Sequence, residues 1–252
     1  MMDLNSFFQD NPRAAVAFSG GVDSAYLLWA ARACGATVRA YYVKSSFQPL
    51  FELADAVKLC RALAVPLTVL PVDVLSDEAI ARNDSLRCYS CKRRIFTAIL
   101  KAAARDGFDL LLDGTNASDE ASDRPGMRAL SELQVLSPLR LCGLTKADIR
   151  KKSREAGLFT WDKPAYACLA TRIPTGTAIT PEALRATEAA EGYLASLGFS
   201  DFRVRFFDGA AKLQLPEAQL PRLLACREEI FRQLSPLYDG VLLDLEVRPC
   251  KM

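Results

Sequence analysis

The sequence predicts an α/β protein with a doubly wound parallel sheet, followed by a smaller C-terminal α/β domain. Three observations predict this fold. β-rich apolar runs alternate with helical runs, a two-glycine turn joins the first predicted strand to the first predicted helix, and the alternation restarts after an aperiodic loop at 160–181. We therefore expect one domain over residues 1–163 and a second, smaller domain over residues 164–252.

The elements of the first domain follow from hydrophobic periodicity and from glycines that end helices. Strands are predicted over 14–18, 37–43, 66–72 and 109–113, and helices over 25–33, 49–64, 91–105 and 145–156. Alternation at this spacing produces a parallel sheet whose ligands lie beyond the carboxyl ends of its strands. The turn after 14–18 and the sequence Gly114-Thr115-Asn116 after 109–113 both fall at that edge.

The second domain begins in the loop at 160–181, and a loop of this length in a compact enzyme is usually functional. Beyond it, helices are predicted over 181–197 and 217–234, and strands over 201–207, 211–215 and 241–247. We expect these elements to form a small α/β domain that the loop joins to the first.

The turn after the first strand reads Ser19-Gly20-Gly21-Val22-Asp23-Ser24. Two glycines allow a positive φ and a close approach by an oxyanion, and the first N–H groups of the following helix point into the turn. The hydroxyls of Ser19 and Ser24 add two donors, and Asp23 can either cap the helix or hold Mg²⁺ against bound phosphates. The turn is therefore predicted to bind phosphate.

This turn has neither the lysine of the G-x-x-x-x-G-K-[ST] loop nor the spacing of G-x-G-x-x-G. It resembles the SGGxDS pyrophosphate loop of the PP-loop ATP pyrophosphatases, so the first domain is expected to be the ATP-binding domain. The resemblance implies that the loop grips the β,γ-phosphates while a nucleophile on the substrate attacks the α-phosphate, which yields a substrate–AMP adduct and pyrophosphate. An ordinary glycine turn between a strand and a helix is the alternative.

Composition limits the partners, the cellular location and the kinds of catalytic or metal site that we expect. The formal net charge is only +2, without a long basic block, so a nucleic-acid partner is not expected. No apolar run reaches the roughly 18 residues that span a bilayer, and the first residues lack signal-peptide features, so we expect a cytoplasmic protein without a membrane partner. The chain has no histidine, which excludes Cys/His zinc patterns and Ser-His-Asp or Cys-His nucleophiles.

The chain has eight cysteines, which in the cytosol are reduced thiols, metal ligands or catalytic groups. Cys88 and Cys91 are spaced i, i+3 at a predicted helix start, where both can face one point and the helix N-terminus favours thiolates. Cys168 lies in the 160–181 loop. Three thiolates suit a 4Fe–4S cluster with one open iron, whereas a structural zinc would need a fourth, distant cysteine.

The remaining cysteines carry less information. Cys34, Cys60 and Cys226 sit inside amphipathic helical patterns and are predicted to be core residues. Cys142 and Cys250 have no assignment from the sequence.

Further motifs make the resemblance specific. In order and spacing, they resemble the LarE family, the ATP-dependent sulfur transferases that make the nickel-pincer nucleotide cofactor of lactate racemase. The motifs are RCYSCK at 87–92, DGTN at 113–116, RPG at 124–126, SPL at 137–139, GLTK at 143–146, WDKPA at 161–165 and ACLATRIP at 167–174. The resemblance extends over nearly the whole chain.

The resemblance implies a substrate and a reaction. A carboxylate of pyridinium-3,5-dicarboxylate mononucleotide is adenylylated with Mg²⁺–ATP and then converted to a thiocarboxylate, with sulfide or another sulfur donor as partner. One branch of the family sacrifices a loop cysteine and leaves dehydroalanine. Another branch carries three cysteines that hold a 4Fe–4S cluster, and Cys88, Cys91 and Cys168 match that branch. A homo-oligomer is also expected.

The substrate site is expected in the second domain. Alternation along the predicted strand places Arg203 and Arg205 on one face, about 6.8 Å apart, where two guanidinium groups can bracket a phosphate. From the pattern alone, the alternative is that this face of the strand is a solvent-exposed surface without a ligand. The family uses an Arg-x-Arg strand here for the mononucleotide phosphate and an arginine that matches Arg172 near the reacting carboxylate. One departure from the family is Phe206-Phe207, where we expect a polar or histidine pair.

Two other functions remain as alternatives at this point. An iron–sulfur-dependent tRNA thiolase of the PP-loop superfamily also uses C-x-x-C with a third cysteine, but usually has a lysine in place of Val22 and a more basic surface. A non-enzymatic nucleotide-binding or redox-sensing module would keep the cluster as a structural element. The complete pyrophosphate loop favours an enzyme over such a module.

Overall fold

The computed structural model describes residues 3–119 and 125–248. Arg124 of the RPG motif and Cys250 lie outside the described residues. The chain divides into two compact units, one formed by residues 1–74 and 86–163 and the other by residues 75–85 and 164–252. The segment 75–85 belongs to the second unit, which the periodicity of the sequence does not predict.

The first unit contains four parallel strands in the order β3-β2-β1-β4. Its strands are β1 (Arg13–Ala17), β2 (Thr37–Lys44), β3 (Leu67–Pro71) and β4 (Leu111–Leu112). Its helices are α1 (Leu4–Asp10), α2 (Val22–Ala33), α3 (Leu50–Ala62), α5 (Arg87–Arg105), α6 (Pro125–Glu132), α7 (Pro138–Leu141) and α8 (Lys146–Glu155). Strand β4 is shorter than the predicted 109–113, and α1, α6 and α7 are not predicted from the sequence.

Alternation along the strands directs side chains to two separate cores. Val16 and Tyr42 join a core that includes residues of α2, α3 and α8, whereas Ala15 and Tyr41 join a second core with residues of α5 and α6. A sheet covered by helices on both faces is the doubly wound arrangement, so the predicted fold class is confirmed.

The second unit contains a smaller sheet in the order β5-β6-β7, with β5 and β6 antiparallel and β6 and β7 parallel. Its strands are β5 (Arg203–Phe207), β6 (Ala210–Gln214) and β7 (Val241–Leu243), and its helices are α4 (Glu78–Ala81), α9 (Pro181–Ser196), α10 (Leu220–Ala225) and α11 (Arg227–Leu234). The prediction of a single helix over 217–234 is wrong. A 3-10 turn at Glu217–Gln219 precedes α10, and the chain breaks again at Cys226 before α11.

The long loop of the second unit is ordered by a buried side chain. Asn83 is fully buried, and its amide donates to the carbonyl oxygens of Pro174 and Thr177 at 2.8 Å each. Gly176 N–H returns a hydrogen bond to the Asn83 carbonyl at 2.9 Å. These bonds explain why the segment 75–85 belongs to the unit that contains the loop.

Candidate active site

The glycine turn connects β1 to α2 in the first unit. Gly20 adopts φ +74°, and a Cβ at this position would lie 3.2 Å from the Glu52 carbonyl oxygen of α3. Gly21 is the N-cap residue of α2, with an extended backbone at φ −80° and ψ 164°. The turn therefore presents the amino end of a twelve-residue helix behind two residues without side chains.

The two serines of the turn bond to each other and to the turn backbone. Their hydroxyl oxygens are 3.0 Å apart, Ser24 Oγ donates to the Gly21 carbonyl at 3.2 Å, and Gly21 N–H donates to Ser19 Oγ at 3.3 Å. This network holds the turn in one conformation. Both hydroxyls lie where the sequence predicts phosphate donors.

Asp23 lies in the first turn of α2, one residue beyond the helix start, so the possibility that it caps the helix is wrong. Its Oδ2 accepts from Lys146 Nζ at 2.5 Å and its Oδ1 accepts from Asn116 Nδ2 at 3.3 Å. Lys146 begins α8, where Thr145 and Asp148 form a capping box. The carboxylate is thus held between two of the motifs that the sequence singles out.

Gly114 brings the end of β4 against the same helix start. A Cβ on Gly114 would lie 2.8 Å from Ser24 N and 3.1 Å from Ser24 Cα, so only glycine fits. Asp113 is buried and accepts hydrogen bonds from Thr115 Oγ1 at 2.5 Å and from Ser137 Oγ at 2.6 Å. Gly114 and Thr115 therefore border the turn at the carboxyl edge of the sheet, as predicted.

Cys88 and Cys91 lie in the first turns of the nineteen-residue helix α5, in the first unit. Their i, i+3 spacing within a continuous helix places the two thiols on one side. Cys88 is exposed, Cys91 is half-buried, and the Arg87 guanidinium donates to Cys88 Sγ at 3.4 Å. Neither cysteine is buried, and the Arg87 guanidinium lies beside the Cys88 sulfur.

Cys168 lies in the second unit, directly before a 3-10 turn at Leu169–Arg172. Arg172 holds this segment, because its Nη1 donates to the Ala167 carbonyl and to Thr171 Oγ1 at 2.9 Å each. The same guanidinium makes a bidentate ion pair with Glu191 of α9, at 2.7 and 3.0 Å. Arg172 is only 1% exposed, and its donors are shared between the Cys168 segment, through Nη1, and Glu191, through Nε and Nη2.

Arg203 and Arg205 follow each other on one face of β5, as predicted. Arg203 is buried and donates to the Ala165 carbonyl at 2.6 Å, while the half-buried Arg205 donates to the Thr171 carbonyl and to Gln214 Oε1 at 3.3 Å each. Burial, with the nearby charges of Arg172 and Arg248, lowers the pKa of Arg203 to about 10. Arg203 is still protonated at neutral pH, and the neighbouring Arg172 and Arg248 are each paired with a carboxylate, of Glu191 and Asp201 respectively.

Comparison with known proteins decides the family. The chain is 35% identical over 245 residues to pyridinium-3,5-bisthiocarboxylic acid mononucleotide synthase of Lactiplantibacillus plantarum. This alignment covers 96% of this chain and 89% of the relative. The chain belongs to the LarE family. An uncharacterized protein of Synechocystis sp. is 33% identical over 97% of this chain and 92% of its own length. No protein-family model matches the chain.

A more distant relative supports the fold. The tRNA-specific 2-thiouridylase MnmA of Thermotoga sp. is 27% identical in an alignment 188 positions long, gaps included, that covers 58% of this chain and 52% of MnmA. Together with the parallel sheet and the glycine turn, this similarity confirms that the LarE family member described here has the PP-loop α/β fold.

Three of the other described cysteines of this LarE family member, Cys34, Cys60 and Cys226, belong to or pack against a hydrophobic core. Cys60 is buried, and burial raises the pKa of its thiol to about 12. Cys34 is partly buried against the same core, and Cys226 is partly buried against the core of the second unit. Their prediction as core residues is confirmed. Burial also raises the pKa of Cys142, which argues against a reactive thiolate there.

Several features of the site are not predicted from the sequence. Glu191 accepts from Arg172, from Tyr166 OH at 2.5 Å and from Val204 N–H at 3.0 Å. The Tyr166 ring also lies beneath two guanidinium groups, 4.6 Å from that of Arg172 and 5.4 Å from that of Arg203. No short motif marks such a network, because its members are brought together only by folding.

Glu191→Gln is expected to destabilise the second unit by about 3–5 kcal/mol, because it leaves the buried Arg172 guanidinium without its counter-charge. Hydrogen–deuterium exchange of β5 and β6 peptides measures this loss directly. The matched control is Glu182→Gln on the same helix, whose ion pair with Arg185 is exposed. Equal exchange in the two variants would contradict the central role of Glu191.

Within residues 3–119 and 125–248, no three Cys, Asp or Glu side chains are grouped closely enough to hold a metal ion. Among the same residues, no helix has the length and apolar character that a membrane span requires. Phe206 and Phe207 stand where a polar or histidine pair was expected. Phe206 packs against the core of the second unit, whereas Phe207 is 51% exposed and its ring lies 5.4 Å from the Lys212 ammonium.

Proposed function

We propose that this protein is an ATP-dependent sulfur transferase that makes a thiocarboxylate of pyridinium-3,5-dicarboxylate mononucleotide in nickel-pincer cofactor biosynthesis. The observation that carries the proposal is the similarity to the mononucleotide synthase over nearly the whole chain. The geometry of the glycine turn supports it, since the turn keeps bare backbone and two hydroxyls at the amino end of α2.

The reaction has two half-reactions. In the first, a carboxylate oxygen of the mononucleotide attacks the α-phosphorus of ATP, and pyrophosphate leaves. In the second, sulfur attacks the activated acyl carbon, and AMP leaves with the bonding electrons. A free carboxylate is a poor electrophile, so adenylylation makes its carbon reactive towards a sulfur nucleophile held nearby.

The first unit supplies the ATP site. The residues proposed to contact the nucleotide share the glycine turn and the adjacent end of β4; they are Ser19, Gly20, Gly21, Val22, Asp23, Ser24, Gly114 and Thr115. Asp23 offers the carboxylate that Mg²⁺ prefers, and its present partner is the Lys146 ammonium. Mg²⁺ bound there would take the place of that cation.

The proposed sulfur chemistry depends on three thiols. Cys88 and Cys91 fit a pair of cluster ligands, because they lie on one side of α5 and neither is buried. We propose that they hold a 4Fe–4S cluster together with Cys168. Such a cluster, when bound, supplies an iron with an open position for sulfur. Arg172 then acts near the reacting carboxylate by fixing the segment that carries Cys168.

The second unit is proposed to bind the mononucleotide through Arg203 and Arg205. Arg203→Ala or Arg205→Ala should weaken the mononucleotide by roughly 1.5–3 kcal/mol, the scale of a hydrogen bond to a charged group, without changing ATP binding. The dependence of thiocarboxylate formation on mononucleotide concentration measures this effect. Arg185→Ala, which removes an exposed guanidinium of α9, is the control. An unchanged concentration dependence in both β5 variants would return these arginines to a structural role.

The division of labour follows from these assignments. We propose that residues 1–163 bind and cleave ATP and that residues 164–252 carry the Cys168 loop, the substrate site and the contacts of a homo-oligomer in the cytoplasm. Sulfide or another small sulfur donor completes the reaction. The thiolase and non-enzymatic alternatives are not favoured, since the similarity to the mononucleotide synthase covers 96% of the chain and that to MnmA only 58%.

The proposal is tested by the products of ATP cleavage. Purified protein with Mg²⁺–ATP and sulfide should form AMP and pyrophosphate in the presence of the pyridinium mononucleotide and not in its absence. Unmodified tRNA in place of the mononucleotide is the control. Release of ADP and phosphate would contradict the PP-loop chemistry, and cleavage that depends on tRNA alone would transfer the function to a thiolase.

A further inference from the structure

Lys163 contacts the glycine turn from a distant part of the chain. Its Nζ donates to Asp55 Oδ2 of α3 at 2.6 Å and to the Gly20 carbonyl at 3.4 Å. The turn and Lys163 are 143 residues apart in sequence, so no local motif joins them. The side chain of Lys163 is 16% exposed, and that of Asp55 is 31% exposed.

The contact is positioned from both sides within the first unit. Helix α3 lies directly against the turn, because a Cβ on Gly20 would approach the Glu52 carbonyl oxygen to 3.2 Å and Ala56 N to 3.6 Å. On the other side, Arg150 of α8 fixes the backbone of Lys163 by donating to its carbonyl at 2.9 Å and to that of Trp161 at 2.6 Å. The Lys163 ammonium group therefore reaches the turn from a backbone segment that Arg150 holds in place.

Electrostatics explains why this ammonium is paired with a carboxylate beside the turn. The amino end of α2 already carries partial positive charge, so a second cation beside it is unfavourable without a counter-ion. Asp55 supplies that counter-ion, as Asp23 does for Lys146. A triphosphate at the turn would bring a higher density of negative charge than one carboxylate, and the flexible lysine stem allows the ammonium to move to it.

We propose that Lys163 is a phosphate-binding residue, which Asp55 holds beside the glycine turn until the triphosphate of ATP takes over its ammonium group. The inference rests on the proposed ATP-dependent function and deepens it. It assigns to the WDKPA motif at 161–165 a role in binding the pyrophosphate portion of the nucleotide. Asp55 becomes a competitor for the lysine rather than a ligand of ATP.

Calorimetric titration with Mg²⁺–ATP, Mg²⁺–pyrophosphate and AMP tests the inference without turnover. Lys163→Met should weaken ATP and pyrophosphate by about ten- to a hundredfold, the range expected for a lost hydrogen bond between charged groups, and leave AMP binding unchanged. Asp55→Asn should bind ATP and pyrophosphate at least as tightly as the wild type. Lys101→Met, which removes an exposed lysine of α5, is the charge-matched control and should bind as the wild type does.

The outcomes separate this inference from the proposed function. Equal weakening by Lys163→Met and Asp55→Asn would show that the ion pair only supports the fold of the turn, and would overturn the inference while ATP binding stands. Unchanged pyrophosphate binding in Lys163→Met would also overturn it. A wild-type protein that binds neither ATP nor pyrophosphate would overturn both the inference and the proposed function.

Discussion

Gly21→Val should abolish formation of AMP and pyrophosphate, with a loss of at least about a hundredfold, in a protein that remains folded. The valine side chain would occupy the space that a phosphate needs above the amino end of α2. Losing two hydrogen bonds to a charged group costs about 3–6 kcal/mol, and each 1.4 kcal/mol is tenfold in rate or affinity.

The structure shows why the fold should tolerate this change. Gly21 has an extended backbone that β-branched residues adopt readily, and a Cβ there meets only Ser19 Oγ, at 3.4 Å. The weaker N-cap costs about 1 kcal/mol, less than a domain's usual stability. Gly20→Ala is the contrasting variant, since φ +74° and the close Glu52 carbonyl strain the fold itself.

Circular dichroism and pyrophosphate release, measured on the same samples, separate the two glycines. Gly21→Val should keep the wild-type spectrum and thermal midpoint within a few degrees and lose activity, whereas Gly20→Ala should lose stability. Normal pyrophosphate release in folded Gly21→Val protein would mean that phosphate does not bind at this turn.

Replacement of Cys88, Cys91 or Cys168 by alanine should reduce thiocarboxylate formation by at least about a hundredfold while adenylylation continues. A methyl group can neither bind iron nor transfer sulfur, whereas the proposed ATP site lies at the glycine turn and keeps its residues in these variants. Pyrophosphate release measures the first half-reaction and the thiocarboxylate mass measures the second.

Iron content and protein mass distinguish the roles of these thiols. Anaerobically purified wild-type protein should be brown, and each of the three variants should lose most of its iron. Cys226→Ala, which alters a thiol packed against the core of the second unit, should keep iron and sulfur transfer. If Cys168 alone matters and the protein loses the mass of H₂S during turnover, the sacrificial mechanism is correct and the cluster is not.

The fold was predictable because its signals are local. Apolar residues of the strands alternate between the two faces of the sheet. Val16 and Tyr42 join the core on one face, and Ala15 and Tyr41 join the core on the other. The short helices escaped prediction, since four to eight residues carry too little periodicity. The predicted helix over 217–234 failed because its apolar pattern continues through the break at Cys226.

The site was predictable where motifs are contiguous and not where partners are distant. Gly20, Gly21 and Gly114 stand in short motifs, although the reason for glycine at 114, its close approach to Ser24, arises only in the folded chain. Glu191, which pairs with Arg172, and Asp55, which pairs with Lys163, lie on helices, and no motif in the sequence distinguishes them from other acidic residues. Their importance follows only from the buried or cationic groups that folding places against them.

The proposed sulfur insertion into the pyridinium mononucleotide at the expense of ATP can be followed by mass spectrometry of the mononucleotide, after anaerobic incubation with protein, Mg²⁺–ATP and sulfide. We expect replacement of a carboxylate oxygen by sulfur, with one AMP released for each thiocarboxylate formed. An unchanged mononucleotide mass, in protein that contains iron and binds ATP, would contradict it.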